Sequence, residues 1–265
     1  MSWTTGLLGG IPLAILTLVA IAYLGLPLLI WNMFRFDLGE IDEIPPDAIE
    51  NPGDPDDPTS LAGMITALDR IGFVEIARCN ASFLPNVDSM FALFALENGS
   101  HLAMVAEMTP HANETMPAPE TKRYVEFSTE YTDDREVNTN NSPDLPSADS
   151  LKSKTTYGLP DVADPEELWR LHQTAVDLHR QRASIRPAPM DRDPVDFLID
   201  QMRGEFQKKV DKGLYVTRET DVYTPTLRCA YLMTLGELPP FKQLRRSAAN
   251  RRARNLKAEA ERRGG

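Results

Sequence analysis

Catalysis or metal binding needs nucleophiles, acids, bases or ligands at workable spacings, and this sequence offers few. Its four histidines are His101, His111, His172 and His179. The last two stand seven residues apart in a stretch of helical periodicity, so they share one face, separated by about 10.5 Å along the axis. A single zinc ion, reached at ~2.0–2.1 Å from each ring nitrogen, does not bridge that distance. No HExxH or CxxC spacing accompanies them, and the histidines read as exposed or boundary residues. Cys79 and Cys229 sit in no nucleophile signature, and there is no GxSxG elbow. The phosphate-cradling patterns GxGxxG and GxxxxGK[ST] are missing as well. Glu126, Glu130 and Glu136 fall in segments of alternating polarity and could converge, but such alternation reads as the wet face of a sheet. No catalytic or metal-ligating residue is therefore assigned, and no cofactor is expected.

Charge is more informative than chemistry. The chain of 265 residues carries a net charge of −11, yet its last 25 residues, from Phe241, hold nine Lys and Arg against two Glu, a local charge of +7. Lys242, Arg245, Arg246, Arg251, Arg252 and Arg254 are the candidate binding residues of this tail. Basic segments are attracted to an anionic leaflet by ~1 kcal/mol per residue near the surface. They also neutralise nucleic-acid phosphates without sequence preference. No aromatic residue is interleaved with the arginines after Phe241, so the stacking of single-strand binders is absent and lipid headgroups are the preferred partner.

The opposite end of the chain agrees with that choice. No Lys, Arg, Asp or Glu occurs from Ser2 to Phe34. Within that run Leu7–Trp31 spans 25 residues, which as a helix at ~1.5 Å per residue reaches roughly 37 Å. A bilayer core of ~30 Å is crossed by such a length with some tilt. Pro12 and Pro27 lie toward its ends, and Tyr23 and Trp31 suit an interface. A cleaved secretory signal would need a basic start, a shorter apolar core and a small-residue cleavage site, none of which is clear. The expectation is a transmembrane anchor. Arg35 is the first cation after it, which with the basic tail favours a cytoplasmic soluble domain.

Between the two ends lie the elements that would position any site. Asp37–Pro58 contains nine acidic residues, no basic ones and five prolines, and reads as an extended linker. Ser60 or Thr59 caps a helix with Leu61, Met64, Ile65, Leu68 and Ile71 on one face and Gly72 as its stop. Asn98-Gly99, between the apolar runs Met90–Glu97 and Ser100–Met108, predicts a hairpin. Tyr124–Tyr131 alternates with period two, and Thr132–Arg135 supplies a second turn. A strand near Ser153–Leu159 follows. Asp164-Pro165 and Asp193-Pro194 then announce helices to about Arg182 and Lys212. One more strand over Leu214–Pro225 precedes a helix from Thr226, whose apolar stretch Leu227–Leu238 is too short to span and is either a core helix or an interfacial one.

The sequence thus predicts an α+β protein: an N-terminal transmembrane helix, then an antiparallel sheet of about five or six strands with helices on one face, then a basic helical tail. The expected divisions are an anchor over 1–35, an acidic Pro-rich linker over 36–58, a soluble domain over 59–240 and the tail over 241–265. Two cysteines are too few for a disulfide framework, and both read as buried thiols. The expected function is binding or scaffolding at a bilayer surface, with an unidentified protein partner. The alternative is a membrane-tethered enzyme on a lipid or envelope substrate, for which converging polar groups such as His101 and Glu126 in a pocket would speak. A periplasmic domain with Cys79 joined to Cys229 is a third possibility.

Overall fold

In the computed structural model the described residues are 17, 21–39, 41–45, 52–84, 87–111, 120–144, 153–180, 183–188 and 192–264. Alternation and turn chemistry build its larger sheet. Helix α1 (Leu26–Met33) is followed by strands β1 (Phe36–Asp37) and β2 (Ile41–Glu43) and by helix α2 (Leu61–Ile71). Then come β3 (Phe73–Leu84), β4 (Val87–Leu96), β5 (Leu102–Pro110), β6 (Lys122–Glu130), β7 (Glu136–Asn140) and β8 (Lys154–Gly158). Helices α3 (Pro165–His179) and α4 (Pro194–Asp211), strands β9 (Tyr215–Glu219) and β10 (Val222–Pro225), and helices α5 (Leu227–Glu237) and α6 (Phe241–Gly264) complete the chain.

Strands β2 to β8 form one sheet in sequence order. The Asn98-Gly99 signal turns β4 into β5, with Gly99 at φ +64° and Asn98 Oδ1 accepting from Ser100 N at 2.9 Å. The expected antiparallel sheet of five or six strands is corrected on two counts: there are seven strands, and β8 runs parallel to β7. Period-two patterning marks a strand but says nothing of its direction relative to its neighbour. The single strand expected over Leu214–Pro225 is two, β9 and β10, and β10 lies between β9 and β1 in a separate three-stranded sheet.

Capping residues start the helices where the sequence places them. Ser60 accepts from Gly63 N, Asp164 from Glu166 N, Asp193 from Val195 N and Asp196 N, and Thr226 from Cys229 N. Gly63 is needed for another reason: a Cβ there would lie 1.9 Å from the Asp57 carbonyl oxygen, so only glycine lets the preceding loop close on α2.

Helices cover both faces of the large sheet, not one. On the first face α2, α3 and α6 bury Phe73, Phe94, Val105, Val125, Phe127 and Val137 beneath Leu68, Leu168, Leu171 and Leu256. On the second face Leu198 of α4 packs near Cys79, Phe91 and Ala106. The other side of α4 closes a second core, where Phe206 stacks on Tyr223 at 4.7 Å between centroids and meets Leu38, Tyr215 and Cys229. Helix α4 therefore belongs to both sheets. Cys79 and Cys229 are both buried, in different cores, and are not joined.

Two expectations about the ends change. The acidic segment is not extended throughout: Asp37 pairs with Val222, Ile41–Glu43 pair with β3, and Leu38 is buried in the second core. Its apolar residues Phe36, Leu38 and Ile41 outweigh the charges between them. The expected transmembrane span falls mostly on residues outside those described. What is described is a π-helical turn, Ile21–Gly25, and then α1, which starts anew at Gly25 with Pro27 in its first turn. Among the described residues no helix is long and apolar enough to cross a membrane.

The basic tail is one helix whose second half enters the main core through Leu256 and Ala260, while its first half projects with Leu244 exposed. Replacing Leu256 by Ala should cost about 2–5 kcal/mol in unfolding free energy. Leu244→Ala should change it by no more than about 0.5 kcal/mol. Urea denaturation of the two variants checks this; equal effects would mean that α6 is not part of the core.

Candidate functional site

Strand alternation divides the polar residues of β6 and β7 between two environments. Val125, Phe127 and Thr129, with Val137 and Thr139, face α2, α3 and α6; Glu126, Ser128 and Glu130, with Glu136, Asn138 and Asn140, face α4.

On the first face a chain of polar groups runs through the core. His101 Nδ1 lies 2.7 Å from Thr129 Oγ1, which lies 2.8 Å from His172 Nε2, and His172 Nδ1 lies 3.1 Å from Thr139 Oγ1. Trp169 stacks on His172 at 5.5 Å and takes the edge of His101 at 5.1 Å. The expectation of exposed or boundary histidines fails for His172, which is fully buried. Its helical position, in line with Leu168, Leu171 and Ala175, carried that signal. Two threonine hydroxyls satisfy its ring, so a core position costs little. Burial, and the neighbouring His101, hold the His172 pKa well below the usual histidine value. Burial and the charge of Arg180 bring His101 down to about 4. Both rings are therefore neutral at physiological pH. His101 borders an open depression of about 920 Å³ that also touches Asn98, Arg180 and Ser184.

On the second face a cleft of about 610 Å³ lies between the sheet and α4. Its floor includes Leu93, Met104 and Glu126, and its roof Phe197, Leu198 and Met202. Two contacts between α4 and the sheet are of opposite kind. At the Cys79 side the contact is apolar, through Leu198. At the β8 side it is ionic: Lys154 Nζ sits 3.3 Å from Glu136 and 3.4 Å from Glu205 of α4, which is itself 3.2 Å from Lys209. Lys209 also lies over the rings of Phe206 and Tyr215, at 5.1 and 5.5 Å. Burial works against the charge on Lys154, but Glu136, Glu205 and Glu126 outweigh it and raise its pKa. Burial likewise disfavours ionised Glu205, yet Lys154 and Lys209 lower its pKa overall.

Glu126 stands apart in this group. Its oxygens accept from Asn138 Nδ2 at 2.9 Å and Asn140 Nδ2 at 2.7 Å. Its pKa is raised, first by burial, with Glu136 and Glu205 adding to the effect and Lys154 and Asn140 opposing it. The expectation that Glu126, Glu130 and Glu136 form a wet sheet face holds in part: Glu130 and Glu136 keep 35% and 31% of their side chains exposed, while α4, a helix distant in sequence, roofs Glu126. His101 and Glu126 do not converge, because they lie on opposite faces of the sheet.

The tail residues are not gathered into one site. Lys242 pairs with Glu237 at 3.0 Å, and Arg245 donates to the Gly236 carbonyl at 2.8 Å. Arg246, Arg251, Arg252 and Arg254 are exposed, with no ion pair among the described residues. At 3.6 residues per turn they encircle α6 and do not form a single stripe.

The depressed histidine values make a pH prediction. Each ring binds a proton more readily when unfolded, so its contribution is fully present above about pH 6.5 and is lost as pH falls, for His101 through about 4 and for His172 through its own lowered value. Unfolding free energy should fall across that window. His172→Asn, which keeps a polar group without titrating there, should flatten the dependence, measured as denaturation midpoint against pH. An unchanged slope would contradict neutral, buried histidines.

No family model matches the chain, and no curated protein or solved structure is found to resemble it, so the functional argument rests on this geometry.

Proposed function

We propose that the protein is a binding or scaffolding domain seated on the cytoplasmic face of a bilayer. The observation that carries the reading is an apolar surface continuous with the uncharged N-terminal run. Ile21, Leu24 and Met33 are 60%, 56% and 59% exposed, and Leu28, Leu29 and Trp31 join them. Helix α1 packs against α5, which adds exposed Leu227 and Leu232; Phe241 and Leu244 extend the surface onto α6. Tyr23 donates a hydrogen bond to the Pro239 carbonyl, pinning the corner between α5 and α6 to the N-terminal segment.

An apolar surface of this extent is unfavourable in water and marks an interaction site. Arg35, Arg228, Lys242 and Arg246 lie within two residues of its members in sequence, a composition suited to an anionic leaflet, where each basic residue contributes ~1 kcal/mol. The Leu7–Trp31 run, were it helical throughout, supplies the length for a single span. The interfacial role assigned to the stretch Leu227–Leu238 is then shared: its Cys229, Ala230 and Thr234 side is buried, while Leu227 and Leu232 remain outside.

Cell fractionation with a carbonate wash should leave the full chain in the membrane pellet, and a reporter fused after Gly265 should be active in the cytoplasm. Recovery of the chain in the soluble fraction would refute bilayer seating. Reporter activity on the far side would refute the orientation.

A further inference from the structure

We propose that the cleft between the large sheet and α4 binds an amphipathic organic cation, a primary or secondary amine on an apolar body, with Glu126 receiving the charged nitrogen. This goes beyond bilayer seating and does not depend on it.

The cleft is lined by Glu126, Glu136 and Glu205, by Lys154 and by the exposed Lys208, which is in no ion pair with Glu126 among the described residues, and Lys209 stands beside Glu205. Lys154 is engaged by Glu136 and Glu205, and Lys209 by Glu205. Among the described residues Glu126 has no cation within ion-pair distance. Two asparagine amides fix both of its oxygens, and Lys154, committed to Glu136 and Glu205, offsets its charge only from beyond ion-pair distance. Asn138, wholly buried on the same face, also leaves its own Oδ1 without a hydrogen-bond partner among the described residues. This corner therefore has acceptors in excess of donors, and negative charge in excess of positive. A ligand that brings N–H donors and one positive charge corrects both.

The outer cations do not fill that role. Arg186 at the mouth is held by Glu130 at 2.8 Å and Asp134 at 2.9 Å. The rest of the wall is apolar, with Met104 beside Glu126 in register and Leu93 beside Met104. Phe197, Leu198 and Met202 face them from α4. A volume of about 610 Å³ suits a small molecule with an apolar body, and methionines adapt to its shape.

Proton linkage follows. Groups facing Glu126 are Lys154 from β8, Glu136 from β7, Glu205 from α4 and its own strand neighbour Tyr124. Glu126 has a raised pKa, so a cation arriving at low pH displaces its proton, and affinity should rise with pH through that pKa.

The test uses the full chain in phosphatidylcholine nanodiscs, titrated calorimetrically with phenethylamine, 2-phenylethanol and 3-phenylpropionate, with empty nanodiscs subtracted. The amine should bind one site at least tenfold more tightly than either isostere. Glu126→Gln should remove that preference and Glu126→Asp restore part of it. Should the Gln variant fail to fold, the unaltered protein still decides: in two buffers of different ionisation enthalpy, amine binding should release a proton at low pH. Equal binding of amine and alcohol, no binding of the amine, or amine binding without proton release at any pH would overturn the proposal. None of these outcomes bears on whether the chain sits in a membrane.

Discussion

Lys154 is the point on which the second half of the structure turns. It rises from the last strand of the large sheet and meets Glu205 of α4, a helix whose other side is the wall of a different core. Ion pairs at a water-exposed surface contribute little, but this one is partly shielded and shares Glu205 with Lys209, so the four groups act as a network. The network ties α4 to β7 and β8, and Leu198 packs it on the cluster of Cys79, Phe91 and Ala106. The cleft is the space left beneath it. Glu126 lies at the edge of this network, beyond ion-pair distance of Lys154, and its pKa is the one that burial raises.

The same sheet has a quite different first face. There the polar groups are neutral and mutually satisfied: two imidazoles and two threonine hydroxyls in a row, enclosed by Trp169, Phe127 and Phe73. A buried network of this kind fixes the register of α3 on β6 and β7, since shifting the helix by one residue would strand His172 among apolar side chains. One face thus uses neutral hydrogen bonding to fix packing. The other carries unbalanced charge beside an apolar space, an arrangement that contributes less to stability and more to selecting a ligand.

Much of this architecture was legible in the residues. Asn98-Gly99 named its hairpin, and Ser60, Asp164, Asp193 and Thr226 marked helix starts that depend on one or two local hydrogen bonds. Such signals survive because their partners lie within three residues. The site was less legible because its parts meet over long separations. Glu126 and Glu205 are 79 positions apart, and nothing near either says that α4 will roof the strand. Alternation in Tyr124–Tyr131 was read correctly as two faces, but whether the polar face meets water depends on a helix elsewhere. The parallel pairing of β8, the second sheet built from β1, β9 and β10, and the burial of Leu38 have the same cause. His172 is the instructive exception, since its spacing from Leu168 and Leu171 pointed inward while its residue type pointed out.

The central claim is that Glu126 lies in an environment that disfavours its charge until a cation arrives. Carbon-13 labelling of the glutamate side chains, with Glu126 assigned by comparison with Glu126→Gln, follows its carboxyl resonance through a pH titration of the ligand-free protein. The account predicts a midpoint clearly above the ~4.3 of an ordinary glutamate. A midpoint at or below that value would mean that the asparagines and Lys154 already stabilise the carboxylate, and the cleft would have no need of a positive ligand.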